Sequence, residues 1–440
     1  MKIEKILLIA PSTNKIWRKE LKNKMGTAPL GIATISSVLK FHGYEVKMID
    51  MLVDVNSAQD MKSVIEQYKP DVIGISASYT ESINTTYKIT KFLKKISDAV
   101  LIAGGVHVTF RPEEAINNGF DYVIRNEGES TFIELLEYLK TESNRLDDIK
   151  GLVYKRDGKI IRNEKRDFIT SLDILPFPDL LSLNLLQYVT PLAVITSRGC
   201  PGDCIYCSSR AMSGKMYRMR SAESVFSEVF YFSSIILRDD RLLKSYLAIY
   251  DDTFTVNKNR LIKFCKYMIN SGLNVIPWKC ESRIDIIDEE IIKLMKEAGC
   301  FALHVGIESA DQNIVDSLNK HINLARVETV LSMLKKYQIQ PLCSFIIGNH
   351  LDTVDTLNST KDFIKHIVKE YGAQVATSPN TPLPGTALFE NSNYYNIDIN
   401  SNNWDDFSLM KVIISTKNLS SQDIRDAYYS TIEEVNGIGG

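Results

Sequence analysis

The chain has 440 residues, 44% of them apolar and 24% charged, with a formal net charge of -2. That length is enough for about three domains of ordinary size, and the near-neutral balance, with a pI near 6.4, leaves no cationic footprint for nucleic acid or an anionic membrane surface. Seven cysteines, an odd number, argue for the reducing cytoplasm and against a disulfide framework; the apolar run Ile6-Leu7-Leu8-Ile9-Ala10 is too short for an export signal before Pro11, and no run has the length of an integral membrane segment.

That first run reads as a buried strand, Lys5–Ala10. Further strand candidates follow at Glu45–Asp50, Val72–Ala77, Val100–Ala103 and Tyr122–Ile124, separated by amphipathic windows, the pattern of a parallel sheet covered on both faces. Pro29–His42 places Leu30, Ala33 and Val38 at helical spacing, and Gly43 stands where a glycine ends a helix. The spacing predicts a flavodoxin-like (Rossmann-type) doubly wound domain over residues 1–140. Ligands of such sheets bind beyond the carboxyl ends of the strands, so the loops to watch are Pro11–Thr27, Ser76–Ser82, Gly104–Arg111 and Arg125–Ser130. Residues 141–190 read as a hairpin and linker, with Asp157-Gly158 as the hairpin turn and Pro176 and Pro178 stiffening the passage onward.

From Leu192 six strand-then-helix units begin: Leu192–Ser197, Tyr246–Tyr250, Val275–Cys280, Ala302–Ile307, Pro341–Ile347 and Gln374–Thr377. They predict a partial (β/α)6 barrel over residues 191–385, followed by a short helical and loop tail over 386–440. Reactive groups of such a barrel belong at the carboxyl ends of its strands. After the first strand comes Ser-Arg-Gly-Cys-Pro-Gly-Asp-Cys-Ile-Tyr-Cys-Ser, carrying Cys200, Cys204 and Cys207. Three thiolates spaced by three and then two residues can wrap one face of a metal cluster and leave a fourth position open for chemistry. Zinc is the alternative, although the three lack a paired second knuckle. Cys265, Cys280, Cys300 and Cys343 have no ligand spacing and read as buried small hydrophobes.

The C-x3-C-x2-C pattern, with Tyr206 before the last cysteine, resembles the signature of the radical S-adenosylmethionine (SAM) enzymes. The segments Ala28-Pro29-Leu30-Gly31-Ile32-Ala33, Ala103-Gly104-Gly105-Val106-His107-Val108-Thr109 and Tyr122-Val123-Ile124-Arg125-Asn126-Glu127-Gly128-Glu129 resemble the cobalamin-binding domain fused ahead of one class of them. The resemblance implies a 4Fe-4S cluster on Cys200, Cys204 and Cys207, with SAM on the open iron. It implies SAM contacts at Tyr206, at Asp251 and Asp252 after the second strand, at Arg283 for the methionyl carboxylate, at Glu308 and Ser309 for the ribose and methionyl groups, and along an apolar edge ending at Gly348. A salt bridge remains the alternative for Arg283, and a helix N-cap for one of the two aspartates. Cobalamin contacts are implied at Ser76, Gly104, Gly105, Val106, His107, Glu127 and Gly128, because paired glycines at a strand end admit a large flat macrocycle.

Two departures stand out. None of the six histidines has an aspartate two residues before it, so the D-x-H-x-x-G cobalt-ligand motif of cobalamin mutases and methionine synthase is absent, as is usual in the resembled class. Cobalamin is expected to bind without a histidine on cobalt, the Pro11–Thr27 loop with Asn14, Trp17 and Met25 facing its lower side and His107 acting as a side-chain contact or loop brace. After Gly348, Asn349-His350-Leu351-Asp352 replaces the family's Pro-Gly-Glu. The activity implied is methylation of an unactivated carbon of a small metabolite or natural-product intermediate, through the 5′-deoxyadenosyl radical and methylcobalamin. Cyclisation or rearrangement without methyl transfer is the alternative, and a non-catalytic cobalamin and iron-sulfur sensor or redox protein a more distant one, which the intact SAM-facing residues disfavour. The family also needs an external electron donor such as flavodoxin or ferredoxin. The short tail favours a small-molecule substrate; its Tyr394, Tyr395, Trp404 and Phe407 read either as an aromatic lid or as packing against the barrel. No single residue is singled out as catalytic.

Overall fold

The computed structural model describes residues 3–11, 25–55, 57–141, 145–236, 242 and 245–438, and the chain divides into two units, Met1–Pro191 and Leu192–Gly440. In the first, Lys5–Ala10 (β1), Glu45–Asp50 (β2), Val72–Ser76 (β3), Val100–Gly104 (β4) and Tyr122–Ile124 (β5) run parallel. The four central residues of β1 are buried, as the apolar run requires of a strand covered on both faces. Two antiparallel strands, Leu152–Arg156 (β6) and Lys159–Arg162 (β7), extend the sheet, whose order is β2-β1-β3-β4-β5-β6-β7. Asp157 and Gly158 both take positive φ, 51° and 79°, the conformation that an Asp-Gly turn supplies to a two-residue hairpin. Helix Leu30–Phe41 ends as the sequence predicts: Gly43, at φ 84°, donates to the Lys40 carbonyl at 3.0 Å and Tyr44 to the Leu39 carbonyl at 3.1 Å, a Schellman closure.

The hairpin expected to lead into a linker is thus the edge of the first sheet, and the stretch after it is strapped to the same unit. Asp179 accepts from Ser36 Oγ at 2.7 Å and Lys40 Nζ at 2.6 Å, its N–H donates to the Ala33 carbonyl at 3.0 Å, and Tyr188–Thr190 pairs in parallel with Met25–Thr27.

The second unit is built on six parallel strands in sequential order: Leu192–Val194 (β8), Leu247–Ile249 (β9), Trp278–Ser282 (β10), Cys300–Glu308 (β11), Gln340–Ile347 (β12) and Gln374–Pro379 (β13). The first is shorter than expected because Ser197–Arg198 leaves it to pair antiparallel with Arg218–Met219. The third starts later, at Trp278, since Leu273–Val275 coils into a single 3-10 turn. Buried Trp278 then donates from Nε1 to the Ala298 carbonyl at 2.8 Å and packs edge-on against Phe254 and Phe264 at 6.0 and 5.7 Å.

The last segment is integral to this unit. Helix Ser421–Ile438 supplies Ile424 and Tyr428 to a buried apolar cluster with Ile205, Ile347 and Leu388, where each large side chain contributes about 1.5–3 kcal/mol of burial. Gly348 takes φ 83°, and a Cβ there would lie 2.6 Å from Ile424 Cγ2. The glycine is demanded by this close approach as well as by its backbone. Phe407 is buried against Trp404 at 4.8 Å, so these two pack as core; Tyr394 is exposed, and Tyr395 meets the His350 ring at 5.1 Å.

Candidate functional site

Gly202 lies among the thiols. A Cβ on it would be 3.5 Å from Cys200 Sγ, 3.9 Å from Cys204 Sγ and 3.4 Å from Arg283 Nη1, so the missing side chain lets two sulfurs and a guanidinium converge. All three cysteines of the motif are free and half-buried. The turn that carries them is held from both sides: Ile205 donates to the Leu318 carbonyl at 3.1 Å, and its own carbonyl accepts from Leu388 at 3.1 Å. Burial pushes the Cys204 and Cys207 thiols up, opposed at Cys204 by Lys320, Tyr206 and Arg283. Such thiols bind metal as thiolates, and a cluster's positive iron supplies the stabilisation that burial withholds.

Facing this turn is the end of β11, where the register shifts between Gly306 and Glu308 and Glu308 takes φ 71°. Strain of this kind in a non-glycine residue is held only by a well-determined site. Lys320 Nζ donates to Glu308 Oε1 at 2.6 Å and to Tyr206 Oη at 3.1 Å, while Tyr206 donates to the same Glu308 oxygen at 2.9 Å. Burial works against a charged Lys320, but Glu308 and Cys204 beside it outweigh that and raise its pKa. Burial and then Glu308 push the Tyr206 phenol up, so it stays a neutral donor. Gly306 has no Cβ, which would run into both Glu308 and Lys320.

Arg283 follows β10 and turns its fork on Asp285, at 3.0 and 3.1 Å, with Nη2 also donating to the Lys320 carbonyl at 2.9 Å. Asp251, fully buried, accepts from the Thr196 N–H at 2.6 Å, the Ser197 N–H at 3.0 Å and the Thr196 hydroxyl, with Arg260 at 3.5 Å. Asp252 accepts from Ser209 at 2.7 Å, and burial raises its pKa. Ser309 meets Thr360 Oγ1 at 3.2 Å and accepts from the Asp311 N–H at 3.2 Å.

In the first unit the strand-end loops bond to one another. Ala77 donates to the Gly104 carbonyl at 2.6 Å, His107 to the Ala77 carbonyl at 3.1 Å, and Asn126 to Thr109 Oγ1 at 2.9 Å. Ser76 Oγ lies 2.9 Å from Ser78 Oγ, and Glu127 accepts from the Ile169 N–H at 2.7 Å. Gly104, Gly105, Val106, Glu127 and Gly128 remain half-exposed, while His107 is buried with Nδ1 3.2 Å from Thr80 Oγ1.

A B12 binding domain is matched over residues 23–136 and the radical SAM superfamily over residues 194–364. An uncharacterised methyltransferase of Pyrococcus horikoshii is 34% identical over 443 residues, covering 98% of this chain and 93% of the relative. Cytidylyl-2-hydroxyethylphosphonate methyltransferase of Streptomyces wedmorensis is 26% identical, covering 86% of this chain and 80% of the relative. Among solved structures, the radical S-adenosylmethionine methyltransferase TsrM of Kitasatospora setae, with cobalamin and its iron-sulfur cluster bound, superposes with a TM-score of 0.77 at 14% identity, covering 99% of this chain and 89% of that one. The chain belongs to the cobalamin-binding radical SAM methyltransferases.

The cofactors of this radical SAM enzyme are therefore a 4Fe-4S cluster, SAM and cobalamin, and its residues fit them. The half-buried thiols around Gly202 suit a cluster. At Gly104 a Cβ would meet nothing closer than the Ile124 carbonyl at 4.0 Å, whereas at Gly105, with φ 117°, it would lie 2.8–2.9 Å from Ser78 and Ala77. Room beside a half-exposed glycine is what a macrocycle needs; Gly105 is required by the loop itself. Gly104→Val is thus expected to abolish cobalamin retention in gel filtration while melting like the wild type, whereas Gly105→Val should lose both cobalamin and stability. Wild-type melting combined with full cobalamin in Gly104→Val would remove this loop from the site.

Several of the expected contact residues have protein partners of their own. Asp251 already accepts from three donors and an arginine, so it braces the first barrel strand and leaves Asp252 the freer carboxylate of the pair. No aspartate of this pair caps the following helix; Asn257 does. Ser309 meets Thr360 of the helix Val354–Tyr371, and Arg283 is paired with Asp285. The His107 ring is buried beside Thr80. Asn14 and Trp17 lie outside the described residues. Lys320, in contrast, was not signalled by the sequence: it is a lone lysine in a loop, and only the folded chain shows it raised into the mouth between Asn319 and His321, both at positive φ, 54° and 53°.

Proposed function

We propose that this enzyme methylates an unactivated carbon of a small molecule, using Cys200, Cys204 and Cys207 as the cluster ligands and Lys320, Glu308 and Tyr206 to seat SAM beside them. The observation that carries this reading is the buried Lys320–Glu308–Tyr206 triad at the strand end next to the cysteine turn. Lys320 presents a cation to the methionyl carboxylate, and Glu308, whose two bonds both fall on Oε1, keeps its other oxygen for ribose hydroxyls. Arg283 holds the Lys320 loop and the cysteine turn in mutual register. Held by Cys200, Cys204 and Cys207 and by this triad, the cluster and SAM would supply radical chemistry for hydrogen removal, and cobalamin in the first unit would supply the methyl group. Exclusion of water from the mouth protects that chemistry. Ser76, Gly104, Gly105, Val106, Glu127 and Gly128 line the cobalamin loops. The relative that acts on a cytidylyl phosphonate supports a small-molecule substrate, and reduction of the cluster calls for a low-potential protein donor such as flavodoxin or ferredoxin in the cytoplasm.

The test is anaerobic turnover with SAM carrying a deuterated methyl group and candidate metabolites. A product bearing the intact labelled methyl, seen by mass spectrometry, is the expected result. A product formed without label would replace methylation with cyclisation or rearrangement.

A further inference from the structure

Arg283 is bonded along one edge of its guanidinium only. Nε and Nη2 hold the Asp285 carboxylate, and Nη2 also donates to the carbonyls of Lys320 at 2.9 Å and His321 at 3.3 Å. Nη1, with two N–H groups, has no partner among the described residues, although the side chain is only 14% exposed. A charged donor left unpaired in such surroundings is costly, more so than a neutral one. This open end lies against the cysteine turn. A Cβ on Gly202 would be 3.4 Å from Nη1, 3.5 Å from Cys200 Sγ and 3.9 Å from Cys204 Sγ, so a gap the size of one methyl group stands between the free donors and two of the three sulfurs. Gly202 does not take positive φ; its backbone would accept a side chain, and what the glycine provides is room.

We infer that Arg283, through Nη1, donates to the sulfur side of the cluster at Cys200 and Cys204 and thereby raises the cluster's reduction potential. This rests on the three cysteines holding a 4Fe-4S cluster and adds to that reading the residue that tunes it. The redox step moves one electron: a reductant such as dithionite gives it up, the iron core takes it, and no bond or proton changes. A core on three thiolates then passes from about one to about two negative charges. A fixed cation with N–H donors at the sulfurs stabilises the more negative form, because charge-assisted bonds strengthen as the acceptor gains charge. Asp285 offsets part of the positive charge, but it sits on the other edge of the fork and is 32% exposed, where water weakens its opposing field. The methionyl carboxylate of SAM is the competing acceptor for the same two N–H groups, and measurement without SAM separates the two.

Wild type, Arg283→Gln, Arg283→Lys and Gly202→Ala are reconstituted to matched iron content and titrated anaerobically with dithionite and redox mediators in the absence of SAM, the reduced cluster being read by electron paramagnetic resonance. At any set potential Arg283→Gln should hold a reduced-to-oxidised ratio at least about tenfold lower than wild type, a fall of about 59 mV for a one-electron couple. Arg283→Lys keeps the charge and should fall by clearly less. Gly202→Ala leaves every bond of Arg283 in place and sets a methyl group between Nη1 and the sulfurs, so it should move in the same direction as Arg283→Gln and carries the test if that variant folds poorly. Wild-type midpoint potentials in both Arg283→Gln and Gly202→Ala would overturn the inference. Unchanged potentials without SAM, combined with weaker SAM binding by isothermal titration calorimetry, would do so too and would make Nη1 a contact of the methionyl carboxylate. Wild type that shows no 4Fe-4S signal on reduction would instead contradict the cluster assignment itself.

Discussion

Alanine at any one of Cys200, Cys204 or Cys207 is expected to abolish the brown iron-sulfur absorbance and all 5′-deoxyadenosine formation while the protein stays folded. The turn owes its shape mainly to bonds that the thiols do not make: Ile205 is tied to Leu318 and Leu388, and Gly199 and Gly202 make room for neighbouring groups, while Cys200 Sγ adds only a long acceptance from the Gly202 N–H at 3.4 Å. Removing one sulfur therefore leaves the scaffold and takes one of three ligands from a cluster that has none to spare. Cys265→Ala, in the buried core, should leave iron content unchanged. A full four-iron cluster in the triple alanine variant would contradict the ligand assignment.

The second large effect concerns Lys320 and Glu308. Lys320→Ala leaves the Glu308 carboxylate buried without its cation, and breaking a buried pair from one side costs about 3–5 kcal/mol. For a unit of this size that corresponds to a loss of roughly 10 °C in melting temperature, readable on the cluster-free protein by circular dichroism. Glu308→Leu with Lys320→Leu removes both charges and should recover most of that stability, since apolar replacement of a buried pair is often neutral. SAM cleavage under dithionite should be lost in the single and in the double variant alike, because misplacing the sulfonium by a small distance costs about 100-fold or more. If the stable double variant cleaved SAM at the wild-type rate, the pair would be structural only.

Most of the architecture was legible from local signals. Apolar runs bounded by turns placed the strands of both sheets, Asp157-Gly158 announced the hairpin, and Gly43 announced the end of its helix, because each depends on residues within one turn of each other. The cysteine turn was legible for the same reason. What sequence reading could not supply depends on contacts between distant segments. Asp251 accepts from Thr196 and Ser197, 55 and 54 positions away in the chain, and nothing in its own neighbourhood marks it as their partner. Lys320 reaches Tyr206 from 114 positions away, lifted by two left-handed residues that no propensity predicts. The hairpin was read as such but not as the edge of the first sheet, which pairing with Tyr122–Ile124 makes it, and the strap around Asp179 and Tyr188–Thr190 read as linker because its partners, helix Leu30–Phe41 and strand Met25–Thr27, lie more than a hundred residues upstream.

The most direct measurement counts what becomes of SAM. Two molecules are consumed per methylation by this route, one giving its methyl group and one its radical, so reconstituted enzyme turning over a true substrate should release S-adenosylhomocysteine and 5′-deoxyadenosine in equal amounts, both in step with methylated product. Deoxyadenosine accumulating with product but without S-adenosylhomocysteine would contradict methyl transfer as the reaction of this enzyme.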